Sequence, residues 1–188
     1  MTVDLEETKE RVLDAAEELY YGRGVQAVGM DAVRTASGVS LKRLYQLYPS
    51  KSVLVEAYLR RRDAHLLHGL ARYVEAVPGP PEERVAAIFD WLYEWFSEPD
   101  YRGCAFINSY GELGATAPEV AAAARAHKDA FQRYVARLVA AADLPAPLAA
   151  HLALLAEGAI TTAAISGTPE PARQAREAAK VLIDAARA

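Results

Sequence analysis

The sequence predicts an all-α protein, and three observations carry the prediction. Apolar residues recur at helical spacing along almost the whole chain, the alternation of a half-buried strand does not occur, and no repeat of fixed length appears. Turn signals at Gly24, Gly38 and Pro49, and above all Pro78-Gly79-Pro80-Pro81, cut that pattern into several helices. With 188 residues and 52% apolar composition, the chain has ample material for a buried core. About nine helices are expected from the pattern.

The first helix spans roughly Leu5 to Tyr21, with Val12, Ala15, Ala16 and Leu19 inward and acidic residues on its outer face. Its role is scaffold. A second, short helix is predicted over Met30–Ser37, where Met30, Val33 and Ala36 or Ser37 recur at helical spacing. Gly38 can turn the chain through a positive φ, and Ser40 is a good N-cap for a helix starting at Leu41. At about 100° per residue, Leu44, Leu47 and Tyr48 fall on one side of this third helix and Lys42, Arg43 and Gln46 on the other, with Tyr45 at the border. Pro49 stops it after two turns. A helix that short needs neighbours to hold it. Two short helices joined by a glycine turn form the helix-turn-helix pattern, whose second helix enters the DNA major groove.

Charge supports that reading. Between Gly22 and Arg62 the basic residues are Arg23, Arg34, Lys42, Arg43, Lys51, Arg60, Arg61 and Arg62, against only Asp31 and Glu56, while the whole chain carries −4. A basic patch on a net-negative protein is the footprint of phosphate binding on one face. Lys42 and Gln46, one turn apart, are candidates for base edges. Arg43 reaches either a base or a phosphate, and Tyr45 and Lys51 fit phosphate positions.

The features just described, together with the helix Arg11–Tyr20, the turn at Gly24 and the run Tyr48-Pro49-Ser50-Lys51 with Leu54, resemble the DNA-binding domain of the TetR family of bacterial transcriptional repressors. The resemblance covers about Thr8 to Leu59. It implies a three-helix DNA-binding domain over residues 1–50, followed over 51–188 by a larger helical domain for ligand binding and dimerisation. It also implies that Gly29, Arg34 and Ser40 join Lys42, Arg43, Tyr45, Gln46 and Lys51 at the DNA. Val28 and Gly29 stand where the family usually has Thr or Ser at the cap of the second helix, and Gly29 can still cap. Leu41, Lys42 and Arg43 replace the residues common in the family, which implies an operator of its own.

Beyond residue 50, a fourth helix starts at Lys51, capped by Ser50, and continues to about Val77, shared by head and body. Residues Glu82–Ser97 are apolar around most of their circumference, with Asp90 and Glu94 at a wet edge, so this helix is central. Phe89, Trp91 and Trp95 lie there. Phe106 and Tyr110 follow in the segment 103–114, and His127, Phe131 and Tyr134 on a helix over Pro118–Ala142. An aromatic core and a ligand cavity both explain this cluster, and the interleaved polar groups favour the cavity. With Tyr58, these are the candidate ligand-binding residues, and in the resembled family the middle helices enclose the effector, here a small apolar or aromatic molecule. The alanine-rich helices over about Pro145–Ser166 and Pro169–Ala186 carry more apolar surface than one side of a monomer covers, which points to a homodimer through the last two helices, as in the family. Glu157, the lone acid of the first of these, reads first as a solvent-edge residue and second as a pocket or interface residue.

Other classes fit less well. A single cysteine, Cys104, excludes an internal disulfide and suits a reducing cytoplasm. The acidic, polar amino terminus is unlike a cleavable signal, and the Ala146–Ile165 stretch, which carries His151 and Glu157 without basic flanks, reads as a buried or interfacial helix rather than a membrane span. No phosphate loop, nucleophile elbow or HExxH motif occurs, and His65 with His68 lack a recognisable third metal ligand, so neither an enzyme nor a cofactor is expected. The expectation is a cytoplasmic, ligand-responsive regulator, most simply a repressor, binding a palindromic operator as a homodimer. The alternative is a DNA-binding helical protein without a small-molecule switch.

Overall fold

The computed structural model describes residues 2–187, with side chains from Leu5 onward. Among the described residues there are nine helices and no strand: α1 (Thr2–Arg23), α2 (Met30–Ser37), α3 (Leu41–Leu47), α4 (Lys51–Glu75), α5 (Pro81–Phe96), α6 (Ala105–Leu113), α7 (Pro118–Ala141), α8 (Leu148–Ser166) and α9 (Glu170–Arg187). They group into two compact units, one of residues 1–64 and 105–126, the other of residues 65–104 and 127–188. α4 and α7 each run from one unit into the other, and α6 belongs to the first.

In the first unit the helix ends are set by local chemistry. Gly38 ends α2 in the left-handed region, at φ 68° and ψ 14°, and its N–H donates to the Arg34 carbonyl at 3.1 Å. Two residues on, the Ser40 hydroxyl accepts from the Arg43 N–H at 3.2 Å and satisfies one of the amides a helix start leaves open. α3 closes where the Tyr48 N–H donates to the Leu44 carbonyl at 2.8 Å, just before Pro49. Gly29 sits before α2 in extended geometry with no side-chain cap bond, as a glycine must. Val12, Val33, Leu44, Leu54 and Leu59 are fully buried and hold the short helices in place. Each such side chain is worth about 1.5–3 kcal/mol of burial.

The second unit is built on α5, α8 and α9, which pack against one another. Ile88, Phe89 and Leu92 of α5 and Leu152 of α8 are almost wholly buried. Beyond α5 the Tyr101 ring meets Trp95 edge-on, with centroids 5.2 Å apart, and its hydroxyl donates to the Ile160 carbonyl at 2.7 Å. Gly103 has a φ of +84°, and a Cβ there would lie 2.9 Å from the Cβ of Ala164, so the close approach needs glycine. α9 is tied to α5 at its rim by Arg176–Asp90 at 2.8 Å and Arg187–Glu82 at 3.1 Å.

Candidate functional site

α2, the Gly38 turn and α3 present one polar surface. Lys42 and Gln46 are exposed, Tyr45 is 46% exposed, and Arg43 is half-buried, while Leu44 and Tyr48 on the opposite side are buried. The structure thus brings Ser40, Lys42, Arg43, Tyr45 and Gln46 together on one face of a rigidly capped two-turn helix. Lys42 and Arg43 have no acidic partner among the described residues, so their charge is available to an anion. Arg34 is held by Asp31 at 2.8 Å on its own helix. Lys51 donates to the Gln26 carbonyl at 3.1 Å, which fastens the start of α4 to the loop before α2. Partial burial lowers the pKa of its ammonium, and the Glu112 carboxylate opposes that shift.

The basic count from the sequence overstates the charge offered outward. Arg61 is bound on three sides, by Glu10 at 3.1 Å, Asp14 at 2.7 Å and Glu17 at 2.7 Å, and Arg62 pairs with Glu17 at 2.7 Å while lying over the Tyr21 ring. Arg60 pairs with Glu56. Arg61 and Arg62 neutralise part of the acidic outer face of α1 and brace α4 against it. They are scaffold.

In the second unit a cavity opens between α4, α5, α7 and α8. Of the nine candidate ligand residues it gathers Trp91, Trp95, His127 and Phe131. Leu66, Leu67, Leu70, Leu92 and Ile160 complete its apolar wall, and Cys104 and Glu157 supply further heteroatoms. Phe89 and Tyr134 are buried in the same unit but outside this wall, and Tyr58, Phe106 and Tyr110 belong to the first unit. Tyr110 is 52% exposed. The aromatic residues therefore divide among a cavity, a core and a surface.

Glu157 does not lie at a free solvent edge. Its carboxylate accepts from the Lys128 ammonium at 2.6 Å, and the same ammonium stands 3.4 Å from the Cys104 sulfur. A half-buried acid on an apolar helix is tolerated because the cation beside it offsets the lost hydration. The free volume inside the cavity is about 30 Å³, room for only one or two waters. An organic ligand can enter only by parting its walls.

A surface helix held in a helix-turn-helix, with exposed cationic and amide side chains, defines a DNA-binding transcriptional regulator. Residues 12–58 match the family model for bacterial regulatory proteins of the tetR family, and residues 81–179 match the tetracyclin repressor-like C-terminal domain. The chain belongs to the TetR family. Its relatives include the HTH-type transcriptional activator FasR of Mycolicibacterium smegmatis, 31% identical over 134 residues that span 70% of this chain and 60% of FasR. An HTH-type regulator from the lacX 3' region of Lactococcus lactis is 25% identical over 60% of this chain and 58% of its own length. Among solved structures, a TetR-family regulator of Streptomyces coelicolor superposes with a TM-score of 0.85 at 24% identity, covering 96% of each chain. The reduced form of NemR from E. coli gives 0.83 at 21% identity, over 93% of this chain and 95% of NemR. At these identities the likeness is one of fold. Proteins of this family are transcriptional regulators that bind operator DNA and dimerise, not enzymes.

Proposed function

We propose that the chain binds a palindromic operator as a homodimer and is released from it by a small apolar or aromatic effector, acting as a cytoplasmic repressor. Residues 1–50 are the DNA-binding part and residues 51–188 the ligand-binding and dimerisation part. The observation that carries the DNA reading is the outward face of α3: Lys42 and Gln46 meet base edges, Arg43 a base or phosphate, and Tyr45, Ser40 and Lys51 the backbone, with Gly29 and Arg34 at the phosphates flanking α2. Dimerisation through α8 and α9 is supported by Leu154, Ile165 and Val181, which are 69%, 83% and 67% exposed on those two helices.

The effector reading rests on the cavity walled by Trp91, Trp95, His127 and Phe131. Its small free volume favours a switch: a ligand that parts the walls binds one conformation better than the other, which is the only way it can shift a population. Driving the protein from almost wholly DNA-competent to almost wholly incompetent takes about 5.5 kcal/mol of differential affinity. α4 is a single helix from Lys51 to Glu75, with Leu66, Leu67 and Leu70 in the cavity wall. It is the element through which that difference reaches the head.

The test is a pair of titrations with one aromatic compound, read by tryptophan fluorescence and by operator-bound DNA anisotropy. Quenching accompanied by DNA release supports the proposal. Quenching with unchanged operator affinity refutes the switch and favours a regulator without one. A second reading, activation, draws support from the activator FasR. It predicts that expression of the controlled gene falls when the regulator is deleted, whereas repression predicts a rise.

A further inference from the structure

We propose a second binding site in the first unit, between α1, α4 and α6, that accepts a small organic ammonium ion. A cavity with about 90 Å³ of free volume lies there, three times that of the apolar cavity in the second unit. It is lined by Tyr20, Gly24, Tyr58, Asn108, Ser109 and Glu112 among others. The Tyr20 side chain is only 3% exposed, and its hydroxyl has no hydrogen-bond partner. A buried hydroxyl left unpaired is destabilising, and burial keeps this phenol protonated by raising its pKa. Such a group is retained at a cost unless something else meets it.

The chemistry of the wall selects the ligand. Glu112 is the one charged residue lining the cavity, and neither lysine nor arginine lines it. The hydroxyls of Tyr20, Tyr58 and Ser109 offer further lone pairs, and the Tyr20 and Tyr58 rings, with centroids 5.8 Å apart, offer π faces. A carboxylate, hydroxyl acceptors and two aromatic faces suit a protonated amine with a short alkyl body. Lys51, whose ammonium feels the Glu112 carboxylate, donates to the Gln26 carbonyl and does not line the cavity.

Occupancy would be felt at the head. Glu112 Oε2 accepts from the Gln26 N–H at 2.6 Å, the Glu112 carbonyl accepts from the Gln26 amide at 3.2 Å, and Gln26 in turn holds Lys51. Gly24, at φ +87°, lets the carboxylate approach so closely that a Cβ would stand 3.0 Å from Oε1. An ammonium drawn to Glu112 therefore competes at the point where α6 grips the loop leading into α2.

The experiment is an NMR titration of the full-length protein with n-butylammonium chloride, against n-butanol and against sodium chloride at equal ionic strength. The proposal expects saturable shifts of the Gly24, Gln26 and Ser109 amides with butylammonium alone. Glu112→Gln should weaken that binding about tenfold or more, and Tyr20→Phe about two- to tenfold with the melting temperature unlowered. Absence of saturable shifts means that the cavity holds water only and overturns the proposal. Equal binding of butanol overturns the charge assignment, and shifts confined to Trp91, Trp95 and Phe131 would assign the ligand to the other cavity. DNA is absent from the assay, so the result stands apart from the fate of the operator and effector readings.

Discussion

Replacing Gly38 by alanine measures how the turn of the helix-turn-helix is held. The backbone there has φ 68° and ψ 14°, and a Cβ added to it would meet no atom within 4 Å. Packing contributes nothing to the penalty, so the whole cost is that of an L residue in left-handed geometry, about 1–2 kcal/mol. In a chain of this length each kcal/mol lowers Tm by about 2–4 °C, which sets the expected fall at about 2–8 °C. Thermal unfolding followed by far-ultraviolet circular dichroism, at fixed protomer concentration, reads it directly. Gly38→Asn should lose less, because asparagine tolerates this region. Gly24→Ala should lose more, since its φ of +87° is combined with a contact of 3.0 Å to Glu112 Oε1. An unchanged Tm for Gly38→Ala, or a larger loss than for Gly24→Ala, would refute the reasoning.

Other predictions follow the same physics. Ser40→Ala removes the cap of α3 and should cost about 1 kcal/mol, visible as a lower denaturant midpoint. Lys51→Ala should weaken binding to all DNA sequences alike and reduce the salt slope by about one, whereas Lys42→Ala or Gln46→Ala should relax preference at particular base pairs by about 1–3 kcal/mol. Equal effects of all three on specific and random DNA would contradict the assignment. Tyr134 is buried with its hydroxyl unpaired, and burial pushes its pKa up to about 12 from an ordinary 10. Folding therefore favours the protonated phenol: its contribution is complete below pH 10 and is lost as pH rises towards 12. Tyr134→Phe should flatten that alkaline loss and leave neutral-pH stability unchanged or slightly raised, as judged by urea unfolding at both pH values.

The head was legible because its determinants are local. Gly38, Ser40, Pro49 and the spacing of Met30, Val33, Leu44 and Tyr48 act within a few residues of themselves, and α2 and α3 fall where that pattern puts them. Helix ends elsewhere differ by a few residues; α4, for instance, stops at Glu75 rather than Val77 because the chain leaves helical geometry ahead of the Pro-Gly-Pro-Pro break. Pairings over long separations were not legible. Nothing local says that Lys128 seeks Glu157, that Arg61 is claimed by three acids of α1, or that α6 belongs with the first unit. The aromatic cluster was a sound sign of a buried interior, but periodicity alone does not separate a cavity wall such as Trp91 from filled core such as Phe89. Leu66, Leu67, Leu70 and Ile160 carry no signal of a cavity wall in the sequence, because aliphatic residues on a helix are the commonest of core signals. Lys42 and Gln46 lie exposed on α3, where the helical period of that short segment puts them.

The central claim, that a dimer of this chain reads twofold-symmetric DNA through α3, is tested most directly by selecting bound duplexes from a random pool. The account predicts enrichment of one palindrome whose half-sites lie about 34 Å or a multiple apart along the helix axis. A pool that returns no common sequence, or an asymmetric site bound by a monomer, would contradict it.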